Sequence, residues 1–238
     1  MQDVTIEQLA THTSGLSTKK FLAEPGATYH DISRDSPAGV EVRYSCTNAI
    51  LLGFAIERVF GRDLSRLANE YLFQPLRMTH ARFGPLPDSP DIAGSHMPQT
   101  GAVDNIEVRT VGRPLGNAGL FVTAPDLARF SRAMLSKDPL GQTLAIGTTS
   151  RTRPPLPPRG LLWSLDPGAP HRPRSFSERA FGHGGYTGTA LWIDPSGERF
   201  AVILTNRTHR PEPGHNDQQK PAQERRLAQA ADAYFAAM

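Results

Sequence analysis

A serine followed three positions later by a lysine can do nucleophilic chemistry, because one helical turn sets the amine against the hydroxyl. The chain has that spacing at Ser17-Thr18-Lys19-Lys20. Such a pair needs its serine at the start of a buried helix, where the lysine is desolvated enough to act as a base. Here "STKKFLAEPG" carries two adjacent lysines and reaches Pro25-Gly26 one turn on, so it reads as a solvated loop. Lys137 and Lys220 have no serine three residues before them. Cys46, in "YSCTN", is the single cysteine; it excludes an internal disulfide and a cysteine-based zinc cluster. Its thiol reads as a small buried side chain, with a thiol hydrolase built from Cys46 and His183 as the alternative. None of the eight histidines pairs with another at metal-ligand spacing, which predicts no metal. In "FGHGGYTGTALWID" a histidine and two adjacent glycines, His183-Gly184-Gly185, stand where a strand begins. An edge strand there can hold an extended ligand on its unpaired backbone groups, and the glycines let that ligand come close. The plainer alternative is a bulge with a surface histidine.

These residues need elements to hold them. Thr5 and Gln8 have capping-box spacing for a first helix carrying Ile6 and Leu9, which Gly15 is placed to end. "TNAILLGFAIERVFG" is apolar nearly all round and predicts a buried helix closing at Gly61. Asp63 can cap another, with Leu64, Leu67, Ala68, Tyr71 and Leu72 on one face before Pro75. Residues 83–118 lack periodicity and read as a surface excursion containing the tight turn "GNAGLF". Pro125 opens "TAPDLARFSRAML", where Leu127, Phe130 and Met134 share a face. The proline-rich "RTRPPLPPRG" and "DPGAPHRPR" flank a strand candidate, "LLWSL". "TALWID" and "RFAVILTN", joined by Asp194-Pro-Ser-Gly197, make a hairpin. After the polar "RPEPGHNDQQKP", a final helix presents Leu227, Ala231, Tyr234 and Phe235 on one side. Helices, long loops, strands and a last helix favour an α+β fold over a parallel βαβ one.

The 238 residues suffice for one sizeable domain. A net charge of +3 spread over scattered arginines argues against nucleic acid, and no apolar run approaches a membrane-crossing length. "MQDVTIEQLA" has no signal-peptide pattern, which taken literally places the chain in the cytoplasm; an upstream start would open the periplasm or the exterior. G-x-S-x-G, H-E-x-x-H and G-x-x-x-x-G-K are all missing.

Five phrases occur in order: "VTIEQLATHTSGL", "YSCTNAILLGFAIERVFG", "YLFQPLRMTHARFGP", "GNAGLFVTAPDLARF" and "FGHGGYTGTALWIDPSGERFAVILTNRTH". Together, from about Val4 to His209, they resemble the serine β-lactamase and penicillin-binding-protein superfamily, in its β-lactamase-related, esterase-like branch. The resemblance implies one domain over residues 1–238, helical and loop-rich to about 158, then sheet and C-terminal helix. It implies a β-lactamase/DD-peptidase-like α+β fold lacking N-terminal strands and the nucleophile helix, and hence an abnormal open sheet edge. It further implies a covalent serine hydrolase acting on a small ester, amide or β-lactam, with no cofactor. The family's S-x-x-K, expected several tens of residues before "HTSGL", is not in this sequence, so this chain alone is expected to be inactive. The alternative is a non-catalytic remnant that binds peptide or cell-wall fragments. By the same resemblance, Tyr44 would shuttle the nucleophile's proton if nearby positive charge lowers its pKa; the alternative, on the residues alone, is an ordinary core aromatic at a helix start. Cys46 stands where the tyrosine motif often has asparagine and cannot supply an amide's donor and acceptor. His183, Gly184 and Gly185 match the edge-strand triplet, and the backbone N–H of Tyr186 would be an oxyanion donor. His12 and Ser14, in "HTSG", match a phrase with a structural role.

Overall fold

The computed structural model describes residues 4–19, 21–24, 26–95, 99–209 and 220–237. Lys20, Pro25 and nearly all of "RPEPGHNDQQKP" fall outside them. Helix α1 (Ile6–Ala10) starts on the Thr5–Gln8 capping box. Its end comes earlier than the sequence suggests: the chain turns at His12, whose φ of 57° is left-handed, and Gly15 serves the next bend. A Cβ on Gly15 would meet the Ser36 carbonyl oxygen at 1.9 Å, so only glycine fits there.

Helix α2 (Cys46–Phe60) is capped by the Ser45 hydroxyl and stops at left-handed Gly61. Only its first half is buried, around Asn48, Ile50 and Leu52; Val59 and Phe60 face solvent. An apolar face can mark a helix without burying all of it. Asp63 caps α3 (Leu64–Ala68), which widens into a π turn over Asn69–Phe73. The supposed surface excursion is in fact part of the core. It holds β1 (Arg82–Phe83) and α4 (Ile106–Val111), and Val103, Val108 and Leu115 pack with Phe21, Leu22 and Ile50. A six-residue helix is too short to print a period on the sequence. β2 (Leu120–Phe121) pairs antiparallel with β1.

The amphipathic α5 (Ala124–Leu135) is capped by Thr123 and followed by α6 (Pro139–Ala145). "LLWSL" is no strand; Ser164 alone bridges Gly182, through two backbone hydrogen bonds of 2.8 and 3.0 Å. The main sheet orders β3 (Phe181–Gly184), β4 (Ala190–Asp194) and β5 (Arg199–Ile203), all antiparallel. Side chains alternate across it. Phe181, Ile193 and Phe200 meet Phe130 and Met134 of α5. Trp192, Ala190 and Ala201 meet Ala231 and Phe235 of α7 (Lys220–Ala236). The inward face of α7 also carries buried Ala228, whereas Tyr234 is exposed. Among the described residues β5 pairs with β4 alone, an open edge of the kind that invites strand addition. No described helix is long and apolar enough to cross a membrane.

Candidate functional site

Tyr44 lies between two histidines. Its ring centroid is 4.8 Å from that of His12 and 5.6 Å from that of His183. Three segments bring them together. Arg43 N–H donates to the His12 carbonyl (2.8 Å), and Gly39 N–H donates to that of Thr13 (2.7 Å), so the strand-like approach to α2 is laced to the "HTSG" turn. The Ser45 and Thr47 hydroxyls both donate to the Ser17 carbonyl, at 2.8 and 3.2 Å. β3 supplies His183.

The register of β3 fixes how its edge is presented. Gly182 spends its N–H and carbonyl on Ser164, away from β4, while Gly185 N–H donates to the Thr189 carbonyl at 2.6 Å. Alternation therefore turns the backbone groups of Gly184 outward, beside those of Gly182. The glycines also make room for the protein's own side chains. A Cβ on Gly184 would meet the His171 ring at 2.2 Å, and one on Gly185 would meet Thr189 Oγ1 at 2.4 Å. Tyr186 follows in the turn with its ring under the Arg207 guanidinium, 4.6 Å from the centroid.

Tyr44 keeps about half of its surface open (51%). Crowding by the surrounding chain, together with the Cys46 thiol 3.7 Å from its hydroxyl, nevertheless pushes its pKa above the ordinary value. The cation that pulls the other way, Arg159, is outweighed. The lowered phenol pKa implied by the family resemblance is thus reversed in this chain, and the hydroxyl is protonated at neutral pH. Cys46 flanks that hydroxyl and packs against the core of Ile50 and Leu115.

His12 is buried to 1% exposure. Desolvation first, then the charges of Arg159 and His183, lower its pKa from 6.5 to about 3. The unfolded chain then binds a proton that the folded one refuses between those values. The stabilisation is therefore full above about pH 6.5 and fades as pH falls toward about 3, by at most about 1.4 kcal/mol per pH unit. Urea midpoints measured from pH 7 to pH 4 are expected to drop. His12→Asn, which tolerates the left-handed backbone, is expected to flatten the profile. An equal slope in that variant would mean that other groups carry the acid sensitivity.

Ser17 is in a loop, as its sequence suggests, but not a solvated one: it is 3% exposed, and its hydroxyl accepts from Lys19 N–H at 3.3 Å. Its would-be partner Lys20 lies outside the described residues. Two participants escaped the sequence reading. Arg159 was hidden in a proline-rich loop with no periodicity, and His171 sits in another such loop.

Known proteins resemble this chain in sequence and in fold. The Beta-lactamase family model matches residues 1–224. The chain belongs to the beta-lactamase family. Among curated relatives, a putative D-alanyl-D-alanine carboxypeptidase of Escherichia coli K12 is 30% identical over 199 residues, covering 71% of this chain and 45% of its own length. The chain thus spans about half the length of the curated relatives it matches. Among solved structures, a β-lactamase from Mycobacterium bovis superposes with a TM-score of 0.67 at 21% identity, covering 97% of this chain and 74% of that one. Simvastatin synthase from Aspergillus terreus does so with a TM-score of 0.67 at 19% identity, covering 98% and 69%. At these identities the structures establish the beta-lactamase fold, α+β with small antiparallel sheets, and nothing about substrate.

Proposed function

We propose that the chain forms the tyrosine wall and the edge-strand wall of a covalent serine-hydrolase cleft that transfers the acyl group of a small ester, amide or β-lactam to water. The observation that carries this reading is the meeting of Tyr44 and His183 at 5.6 Å beside the outward-facing backbone of Gly184. In this reading the substrate lies along Gly184 and Gly185 as an added strand. The Tyr186 N–H donates to the developing oxyanion. Tyr44, protonated at neutral pH, is suited to deliver a proton to the leaving group and needs a further cation to take one up. In this reading no residue placed at the cleft supplies the serine that attacks the carbonyl or the lysine that takes up its proton, so the chain alone binds without turning over.

Binding is therefore the test. N-acetyl-D-Ala-D-Ala, chosen for the peptidase named among the relatives, is titrated by calorimetry against the native chain and Gly185→Trp. The variant is made with Thr189→Ala, because Thr189 Oγ1 would meet the new Cβ. Affinity is expected to fall at least tenfold in the double variant and to be unchanged in Thr189→Ala alone. Equal affinity in all three would refute the edge-strand cleft.

A further inference from the structure

The turn that follows the edge strand is a closed frame with an aromatic ring mounted on it. Gly185 N–H donates to the Thr189 carbonyl at 2.6 Å, and the Gly185 carbonyl accepts from Gly188 N–H at 3.1 Å, so both polar groups of that residue are used inside the turn. The Thr187 carbonyl accepts from Arg207 N–H (3.0 Å) and from the Thr205 hydroxyl (3.0 Å). Tyr186 is thereby held at its backbone on both sides.

Its ring is held as well. The Arg207 guanidinium carbon lies 4.6 Å from the ring centroid. Arg207 is 4% exposed and Tyr186 is 52% exposed. A buried guanidinium lies over one face, so the exposed half of the tyrosine is its other face and rim. A ring already ordered in this way gives up little further freedom when a ligand stacks on it. The cation also sets what the outer face prefers. A guanidinium over one face draws the π electrons toward itself and leaves the opposite face poorer in them. That outer face repels a second cation, offers little to aliphatic C–H groups and suits another π system, an electron-rich one best. Tyr186 is also the residue after Gly185, at the end of the edge along which the ligand strand is laid. Its ring therefore meets the group that the ligand carries next to the atoms held at β3.

We propose that Tyr186, backed by Arg207, is a specificity-determining residue that selects acyl ligands carrying an aromatic ring beside the group held at β3. This rests on the cleft reading above, and the test separates the two. The native chain, Tyr186→Phe and Tyr186→Leu are titrated with N-acetyl-, N-phenylacetyl- and N-cyclohexylacetyl-D-Ala-D-Ala. The last two match in carbon number and differ in flatness and π electrons. The native chain is expected to bind the phenyl peptide about two- to tenfold more tightly than the cyclohexyl one, the range that an aromatic pair adds beyond buried area. Tyr186→Phe should keep that ratio, and Tyr186→Leu should bring it close to one. The part of Arg207 is read with 4-methoxyphenylacetyl and 4-nitrophenylacetyl peptides. The methoxy peptide should bind the native chain more tightly, and Arg207→Met should reverse the order, which mere support of the turn would not do. Equal affinity of the native chain for the phenyl and cyclohexyl peptides would overturn the proposal and leave the cleft standing. So would a ratio that survives Tyr186→Leu, or a native chain that prefers the nitro peptide. If none of the peptides binds, the cleft fails and the aromatic platform with it. Proton NMR on the native chain needs no variant to fold: the ligand's phenyl protons should move upfield on binding, and unshifted ones would refute the stacking.

Discussion

Treated with a fluorophosphonate or a fluorescent penicillin, this 238-residue chain is expected to remain unlabelled, and a p-nitrophenyl ester is expected to show no burst. Acyl transfer by a serine needs an exposed hydroxyl with its base in reach, and removing such a nucleophile costs roughly a millionfold in rate. The serines around Tyr44 are committed elsewhere: its neighbour Ser45 is buried, caps α2 and donates to the Ser17 carbonyl. Ser14 is wholly buried and donates to Asn48, and Ser17 is 3% exposed in a loop whose carbonyl holds the Ser45 and Thr47 hydroxyls. Tyr44, like any ordinary phenol, holds its proton at neutral pH, and burial and the Cys46 thiol raise its pKa further, so it is no base there. What remains can orient a substrate. Mass spectrometry of the labelled chain decides the matter: a stoichiometric adduct on Ser17 would restore the Ser17–Lys20 pair, and one on Cys46 would make the thiol the nucleophile.

Trp192→Ala is expected to lower the unfolding free energy by about 3–5 kcal/mol, a large share of the roughly 5–15 kcal/mol that holds an ordinary domain together. Trp192 is the largest wholly buried side chain, packed with Ala169, Phe176, Ala180, Ala190 and Ala201. The surrounding alanines are too small to close over the space it leaves. Its Nε1–H donates to His171 Nδ1 at 2.8 Å, so truncation also removes a hydrogen bond from the half-buried His171 ring. Gly182 is across from it, where a Cβ would come within 2.4 Å of the indole. Urea unfolding gives the number. Tyr234→Ala, at a residue 65% exposed on the same C-terminal helix, should change stability by less than about 0.5 kcal/mol. A Trp192→Ala loss below about 1 kcal/mol would mean that the sheet and α7 do not share this core.

The parts of the fold that could be read from the sequence are those in which local chemistry and tertiary packing agree. The Thr5–Gln8 capping box, the glycine stop at Gly61 and the hairpin around Asp194–Gly197 each carry their own turn or cap residues, and each recurs in the structure. Where packing acts alone, the sequence is silent. α4 earns its place through Val108 in a core built from distant segments, and "LLWSL" spends its strand-like residues on a single bridge. The site divides similarly. Tyr44 and His183 were visible because short phrases surround them. Arg159 matters through the charge it brings to bear on Tyr44 from a distant loop, and such a meeting leaves no trace in residue order. The phenol's pKa likewise depends on how the chain crowds it, which residue types cannot convey.

β3 is bracketed by the chain's only two tryptophans. Trp163 stands edge-on to Phe181 at 5.2 Å, and Trp192 reaches the strand from the other side through His171, whose ring rests where a side chain on Gly184 would be. The two indoles therefore act as built-in optical sensors of this strand. A ligand laid against Gly184 that nudges His171 alters the hydrogen bond on the Trp192 Nε1–H, and with it the colour and intensity of that emission. Trp163→Phe would leave a single emitter on the His171 side, so occupancy of the edge could be followed in real time without attaching any dye.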